Sequence, residues 1–70
     1  MQSKLYALRK EAGMTQEDLA NMLGISRSRY GQKELGKAEF TQDEMFELGK
    51  IFDRNINDIF LPRTYQIGTK

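Results

Sequence analysis

The side chains best suited to chemistry lie close together in residues 24–38. This stretch has a net charge of +3, because a single carboxylate, that of Glu34, stands against four cations: Arg27, Arg29, Lys33 and Lys37. Ser28 and Gln32 lie among these cations and add hydrogen-bonding groups. Arginine and lysine bind phosphate oxygens, and arginine, glutamine and serine can bond base edges. The stretch therefore favours contact with nucleic acid, whereas charge alone would fit an ordinary solvated face equally well.

The sequence offers no catalytic or metal-binding pattern. It contains neither histidine nor cysteine, so the hydroxyls of Ser26 and Ser28 lack the usual imidazole base, and thiolate metal sites are excluded. Residues 39–48 carry a net charge of −4, but two of their carboxylates begin a predicted helix, and no calcium-loop spacing is present. We expect no enzymatic activity, no metal or other cofactor, and no small-molecule substrate.

The basic residues belong to a segment, residues 15–34, that predicts two short helices joined by a glycine turn. Thr15 is a suitable N-cap for the first helix, and Gly24 stands where helices commonly end in a left-handed residue. Ser26 can cap the second helix, in which only Tyr30 is strongly apolar. So short a helix needs its neighbours to hold it, which leaves its polar face free for a ligand.

The helix-turn-helix pattern continues into the flanking sequence. It comprises these residues: Arg9, Gly13, Thr15-Gln16, Leu19-Ala20, Leu23-Gly24-Ile25-Ser26, Glu34, Gly36-Lys37, Leu48, Phe52 and Ile59-Phe60. Together, over roughly residues 4–60 and without a gap, they resemble the helix-turn-helix family of the lambdoid phage repressors and Cro, also called XRE-like. The resemblance implies an all-α fold, a compact lambda-repressor-like bundle of about five short helices, with helices two and three as the DNA-binding pair.

Apolar spacing outlines helices one and four. In helix one, Ser3 is a candidate cap, Gly13 ends the helix, and the apolar positions at i, i+3 and i+7 are Leu5, Leu8 and Ala12. In helix two, Met22 joins the predicted apolar stripe of Leu19, Ala20 and Leu23. Thr41 and Glu44 form a capping box for helix four, whose predicted apolar face comprises Met45, Phe46, Leu48, Ile51 and Phe52. Gly49 within this helix, like Gly31 in helix three, suggests close contact with a neighbouring helix.

A short final helix and a tail complete the chain. Asn55 can cap a helix that carries Ile56, Ile59, Phe60 and Leu61 into the core, and Pro62 ends it. We expect a helix-turn-helix DNA-binding domain over residues 1–62 and a C-terminal tail over 63–70 that is frayed or ordered by a partner. The relatives usually bind DNA as symmetric dimers, and the candidates for a homodimer contact are Phe60, Leu61, Tyr65 and Ile67.

If helix three enters the major groove, its N-terminal residues meet base edges. The predicted base contacts are Arg27, Ser28 and Gln32, the positions at which the family places its readout residues. An arginine fork matches guanine, so Arg27 predicts a guanine. Gln16 and the free amides behind Thr15 can bind a phosphate at a helix N-terminus. The complete set of predicted phosphate contacts is Thr15, Gln16, Ser26, Arg29, Lys33 and Lys37.

Three positions are interpreted through the resemblance. It implies a structural ion pair between Arg9 and Glu34, which ties helix one to helix three. Tyr30 occupies a position that is usually aliphatic, so we expect a buried ring with a peripheral hydroxyl, and base stacking is the alternative. Glu39 follows Lys37 where some relatives carry basic residues, so we expect no minor-groove contact.

Composition sets the outer limits of these interpretations. Seventy residues make one domain, and a net charge of +1 with a pI near 8.0 would not by itself suggest a DNA-binding protein. The start lacks the apolar core of a signal peptide and no apolar run could span a membrane, so we expect a cytoplasmic, nucleoid-associated protein. The expected function is sequence-specific binding of double-stranded DNA by a small phage- or bacterial-type transcriptional regulator, a repressor. The alternative is a protein-interaction module of the same fold, for an antitoxin or anti-repressor partner.

Overall fold

The computed structural model describes residues 1–60, which form five α-helices. These are α1 (Ser3–Glu11), α2 (Gln16–Leu23), α3 (Arg27–Leu35), α4 (Gln42–Phe52) and α5 (Ile56–Ile59). No strand occurs within residues 1–60, so the predicted all-α bundle of about five short helices is confirmed. No helix in this range combines the length and apolar character that crossing a membrane requires.

Side-chain caps fix the starts of α2, α3 and α4, as the sequence predicts. The Thr15 hydroxyl accepts a hydrogen bond from the Asp18 amide at 3.0 Å, and the Asp18 carboxylate accepts one from the Thr15 amide at 2.9 Å. Thr41 and Glu44 form the same reciprocal box at the start of α4. The Ser26 hydroxyl caps α3 by accepting from the Arg29 amide at 3.1 Å. Each cap satisfies amides that have no partner within the helix.

The start of α1 and the cap of α5 differ from prediction. Ser3 is the first helical residue rather than the cap, and Gln2 in the cap position makes no side-chain bond. Instead, the Gln2 amide donates to the Glu34 carbonyl at 2.8 Å, which ties the beginning of α1 to the end of α3. Asn55 does occupy the cap position of α5, but its side chain makes no capping bond.

Gly24 makes the tight turn between α2 and α3. Its backbone is left-handed at φ 74°, a conformation that costs glycine little because it has no Cβ. The Gly24 amide bonds the Asn21 carbonyl at 3.2 Å, and the Ile25 amide bonds the Ala20 carbonyl at 3.0 Å. These two bonds close the end of α2 and deliver the half-buried Ile25 side chain to the core. The predicted glycine turn is thereby confirmed.

The core is apolar and aromatic. Its buried residues are Leu5, Leu19, Ala20, Tyr30, Phe40, Leu48, Ile59 and Phe60. The Phe40 ring is central, with its centroid 5.9 Å from that of Tyr30 and 5.4 Å from that of Phe60. Edge and tilted ring contacts of this kind add to the stabilisation from buried area. They join α3 to the end of α5 through the loop before α4.

Three predicted core positions are wrong. Ala12 is exposed because it lies beyond the last turn of α1. Met22 and Phe46 are 55% and 52% exposed. Each stands at the edge of its apolar stripe, next to a residue that does face the core.

Phe60 corrects the predicted dimer contact. Its side chain is only 7% exposed and packs on Phe40. Because the ring is buried in the core, it is not accessible to a second subunit. The other predicted contact residues, Leu61, Tyr65 and Ile67, lie outside the described residues.

Candidate nucleic-acid interface

Helix α3 divides into a buried face and a polar outer face. Tyr30 and Glu34, at i and i+4, are buried, and they turn the opposite side of the helix outward. Ser28 and Gln32 are also one turn apart, and both are exposed, so they share one stripe on the outer side. The structure therefore leaves these two predicted base-contacting side chains accessible to a ligand.

Arg27 is exposed at the first position of α3 and lies on a different stripe. At i, i+4 and i+7, it shares this stripe with Gly31 and Glu34. A Cβ placed on Gly31 would lie 3.5 Å from the Gln16 side-chain oxygen, and the Glu34 carboxylate accepts from the Gln16 amide at 2.8 Å. This stripe therefore faces the beginning of α2, and Arg27 lies where the N-terminal ends of α2 and α3 meet.

The Glu34 carboxylate is the centre of a buried hydrogen-bond network that holds α3 in place. Arg9 donates to both of its oxygens, from Nε at 2.9 Å and from Nη2 at 3.1 Å. Gln16 Nε2 donates at 2.8 Å and the Tyr30 hydroxyl at 3.0 Å. A carboxylate has about four acceptor sites, so all of them are filled. We call these four side chains, Arg9, Gln16, Tyr30 and Glu34, the Glu34 network.

Electrostatics favour the ionised form of this network despite its burial. Burial of Glu34 opposes ionisation, but hydrogen bonds from Arg9, Gln16 and Tyr30 outweigh it and hold the pKa of the carboxylate below its ordinary value. The hydrogen bond to Glu34 raises the pKa of Arg9. Burial, followed by the charge of Glu34, raises the pKa of Tyr30 well above that of a free tyrosine. The ion pair is thus a fixed charge pair at neutral pH.

The ion pair implied by the resemblance is present, but the hydrogen bonds that Tyr30 and Gln16 donate to Glu34 were not predicted. The Tyr30 hydroxyl is buried with its ring, instead of lying at the periphery, and it bonds Glu34. That position also excludes base stacking by Tyr30. The i, i+4 spacing of Tyr30 and Glu34 was a usable signal for this contact. Gln16, by contrast, is 18 residues from Glu34, and no local spacing indicates that pair.

Lys33 does not fit its predicted role as a phosphate contact. Its ammonium lies 2.6 Å from a Glu44 oxygen, and both side chains are 12% exposed. It also lies 5.9 Å from the centroid of the Phe40 ring. Lys33 therefore joins α3 to the start of α4, with its charge turned toward the protein. Together with Thr41, it holds the pKa of Glu44 below the ordinary value against the effect of burial.

The other predicted phosphate contacts lie at the surface. Thr15, Ser26, Arg29 and Lys37 are exposed, and Gln16 is half-buried. The capping hydroxyls of Thr15 and Ser26 accept one bond each and retain their own hydrogen for donation. Gln16 likewise has a second amide hydrogen beyond the one that bonds Glu34. Within residues 1–60, no group of three or more potential metal ligands occurs.

A family model described as Helix-turn-helix matches residues 5–59 of this sequence. The chain belongs to the helix-turn-helix family. This match runs from within α1 to the end of α5 and confirms the predicted membership of the XRE and Cro type. It also agrees with the absence of a catalytic pattern, because the family consists of regulators and not of enzymes.

Archaeal relatives extend the comparison to nearly the whole chain. An uncharacterized HTH-type transcriptional regulator of Methanocaldococcus jannaschii is 39% identical over 61 residues, which cover 87% of this chain and 92% of the relative. An uncharacterized HTH-type transcriptional regulator of Archaeoglobus fulgidus is 30% identical, with 87% of each chain covered, and a second from that organism is also 30% identical. No solved structure matches the chain with significance. In each case the match spans most of the relative's own length.

Proposed function

We propose that this protein regulates transcription by binding specific sequences of double-stranded DNA, with α3 in the major groove. The observation that carries the proposal is the outer stripe of Ser28 and Gln32 beside Arg27, on a helix whose inner side is fixed by the Glu34 network. A helix of this kind fits the major groove, which is about 12 Å wide and distinguishes all four base pairs. Exposed polar side chains on a rigid helix are suited to reading base edges.

Each exposed side chain receives a role by its chemistry. Arg27 bonds guanine through its fork, Gln32 bonds adenine with donor and acceptor, and the Ser28 hydroxyl bonds whichever base edge it meets. Arg29 and Lys37 contribute charge to phosphates, and the free hydrogens of Gln16, Thr15 and Ser26 bond phosphate oxygens at two helix N-termini. Lys33 is left out of this set because Glu44 holds its ammonium.

The regulator acts as a repressor in this proposal, in the prokaryotic cytoplasm where the chromosome is accessible. Occupation of a site within a promoter prevents polymerase from binding the same groove. A symmetric dimer would place two copies of α3 in successive major grooves, about 34 Å apart, and read a palindrome. Because Phe60 belongs to the core, such a dimer uses other residues.

A second candidate function has one observation in its favour. Phe46 is 52% exposed on α4, and exposed carboxylates at Asp43 and Glu47 flank it. An exposed aromatic ring among acidic groups suits a protein partner with a basic surface, as in an antitoxin or anti-repressor complex. DNA would be repelled from this face, so the two functions use different sides of the molecule.

Salt dependence separates the two functions. We would titrate a fluorescent random-sequence duplex by anisotropy at 50 and 200 mM salt. Each phosphate that a lysine or arginine neutralises contributes about −0.9 to the log–log slope, so contacts from Arg29 and Lys37 predict a slope of about −2. A protein-interaction module predicts no duplex binding in this range. Absence of binding at both salt concentrations would therefore contradict the proposed function and favour the second candidate.

Selected duplexes then test the side-chain roles. Gln32→Ala should relax base preference at one position and cost about 1–3 kcal/mol at the preferred site. Lys37→Ala, the matched control, should weaken binding to all sequences alike. If Gln32→Ala also loses affinity uniformly, the assignment of base readout to the outer stripe is wrong.

A further inference from the structure

A cleft lies between the C-terminal end of α1 and the first residues of α2 and α3. Its volume of about 520 Å³ is enough for a phosphate group with its hydration water. Lys10 of α1, Gln16 and Glu17 of α2, and Arg27 of α3 contribute to its walls. We call this space the junction cleft. Lys10 lies outside the helix-turn-helix segment, so the motif by itself assigns it no role.

Only some of the charged side chains in the junction cleft are available to a ligand. Arg9 also lines it, but its charge is compensated by Glu34 at 2.9 Å. Among residues 1–60, neither Lys10 nor Arg27 forms a salt bridge. The Lys10 ammonium lies 5.8 Å from the centroid of the Tyr6 ring, a weak contact at an exposed site that leaves its charge available to a ligand. Two available cations therefore face one free carboxylate, that of Glu17.

The neighbouring groups make a backbone phosphate the appropriate ligand. If α3 lies in the major groove, the strand that borders the groove passes beside its N-terminal end, on the side of α2. The Glu34 network fixes the Gln16 amide through one hydrogen, at 2.8 Å, and leaves the other for an acceptor. The dipole of α2 adds little, because Glu17 and Asp18 in its first turn already compensate it. Because the proposed function assigns the Arg27 fork to a base edge, the attraction for an anion in this cleft depends chiefly on Lys10.

We propose that the junction cleft binds one phosphate of the DNA backbone through Lys10, and that Glu17 on its wall weakens this contact. The inference rests on the proposed function and adds to it a phosphate contact from α1. It also predicts that Glu17 lowers the affinity for DNA by the same factor for every sequence. A regulator that exchanges between sites benefits from such a limit, because non-specific binding is almost wholly electrostatic.

The test compares Lys10→Ala with Lys4→Ala on random-sequence duplex DNA. Lys4 is the matched control because it is exposed on the same helix but lines a different cleft with Arg54 and Asp58. Loss of one phosphate contact lowers the magnitude of the log–log salt slope by about 0.9. The affinity ratio of wild type to Lys10→Ala should therefore fall by about 3.5-fold between 50 and 200 mM salt. The ratio for Lys4→Ala should stay constant over this range.

Glu17→Gln tests the second half of the proposal. Removal of a carboxylate roughly 6 Å from a phosphate should raise the affinity for every duplex by roughly 3-fold in water. Equal salt slopes for Lys10→Ala and Lys4→Ala, with Glu17→Gln unchanged, would overturn this inference while leaving the proposed function intact. Failure of the unaltered protein to bind any duplex would instead overturn the proposed function, and this inference with it. Circular dichroism checks that all three surface variants fold.

Discussion

Replacement of Glu34 by glutamine tests the buried network with almost no change in volume. The amide keeps one oxygen to accept hydrogen bonds, but its NH₂ group then faces a donor from Arg9, Gln16 or Tyr30. Arg9, which is only 7% exposed, also loses its counter-charge. The variant therefore combines an unpaired buried charge with a clash of donors, and neither can be relieved without opening the junction of α1, α2 and α3.

The size of the effect follows from the burial of both partners. Removal of one member of a buried ion pair costs about 3–5 kcal/mol. A domain of this length has a free energy of unfolding of roughly 3.5–10 kcal/mol at the usual stability per residue. Because 1 kcal/mol shifts the melting temperature of such a domain by about 4–8 °C, a loss of 3 kcal/mol predicts a fall of about 12–24 °C. The lower end of the stability range would leave the variant largely unfolded at 37 °C.

Thermal unfolding followed by circular dichroism measures this effect at neutral pH. The informative control is the triple variant Arg9→Met, Tyr30→Phe, Glu34→Leu, which removes the charges and the buried hydroxyl together. Apolar replacement of a complete buried ion pair is often neutral or stabilising by about 1–4 kcal/mol, so this variant should melt well above Glu34→Gln. A melting temperature for Glu34→Gln within about 2 °C of wild type would refute the reasoning, because 2 °C corresponds to less than about 0.5 kcal/mol.

The pH dependence of this difference has a definite sign. The pKa of Glu34 is lowered in the folded state, so its stabilisation is complete above the unfolded value of about 4.3. It is lost as the pH falls through the folded value, since the unfolded state then binds the proton first. The gap in melting temperature between wild type and Glu34→Gln should consequently narrow in acid, and a gap that widened below about pH 4 would contradict this assignment.

Two further predictions concern Tyr30 and the helical glycines. The pKa of Tyr30 is raised by burial and by Glu34, so its contribution to stability is present below about pH 10 and is lost as the pH rises further. Between about pH 9 and 11, the melting temperature should therefore fall less steeply with pH for Tyr30→Phe than for wild type. A Cβ at Gly49 would lie 2.9 Å from the Arg54 carbonyl oxygen, so Gly49→Ala should destabilise by about 1–3 kcal/mol. Gly31→Ala, with its nearest contact at 3.5 Å, should gain up to about 1 kcal/mol from helix propensity. If both glycine variants shift the melting temperature in the same direction from wild type, the packing argument is contradicted.

The ends of α2 and α3 and the start of α4 were predictable because their determinants are local. Thr15, Ser26 and Thr41 bond amides three residues ahead, and Gly24 and Gly36 adopt the left-handed backbone that ends α2 and α3. A cap and its amide lie within one turn, so the sequence places them beside each other. The close packing predicted for Gly49 is also present: a Cβ there would lie 2.9 Å from the Arg54 carbonyl oxygen in the turn after α4 and 3.9 Å from the Ile56 side chain of α5.

Contacts between helices were less predictable because sequence spacing does not determine them. Lys33 is a cation within a basic stretch, and only the approach of α4 gives it Glu44, 11 residues away, as a partner. Phe46 lies next to Met45 in α4, but it stands at the edge of the apolar stripe, so its ring is exposed although Leu48 and Gly49 of the same turn are buried. The outer stripe of α3 was predictable for the opposite reason. An exposed face requires only the absence of apolar residues, which the sequence displays directly.

The polar character of the Glu34 network has a consequence for recognition that an apolar core would not have. Leucine and methionine pack in several arrangements at similar energy, whereas the four hydrogen bonds on Glu34 are satisfied together in one arrangement of α1, α2 and α3. A side chain that reads bases must be held to within about 0.5 Å. Gln16 is both a member of this network and part of the junction cleft, so the same carboxylate that orients α3 also orients a group of the proposed phosphate site. In the proposed complex, the buried charge would fix the position of the outer stripe of α3 relative to the proposed phosphate contacts, and sequence-specific binding would depend on that position.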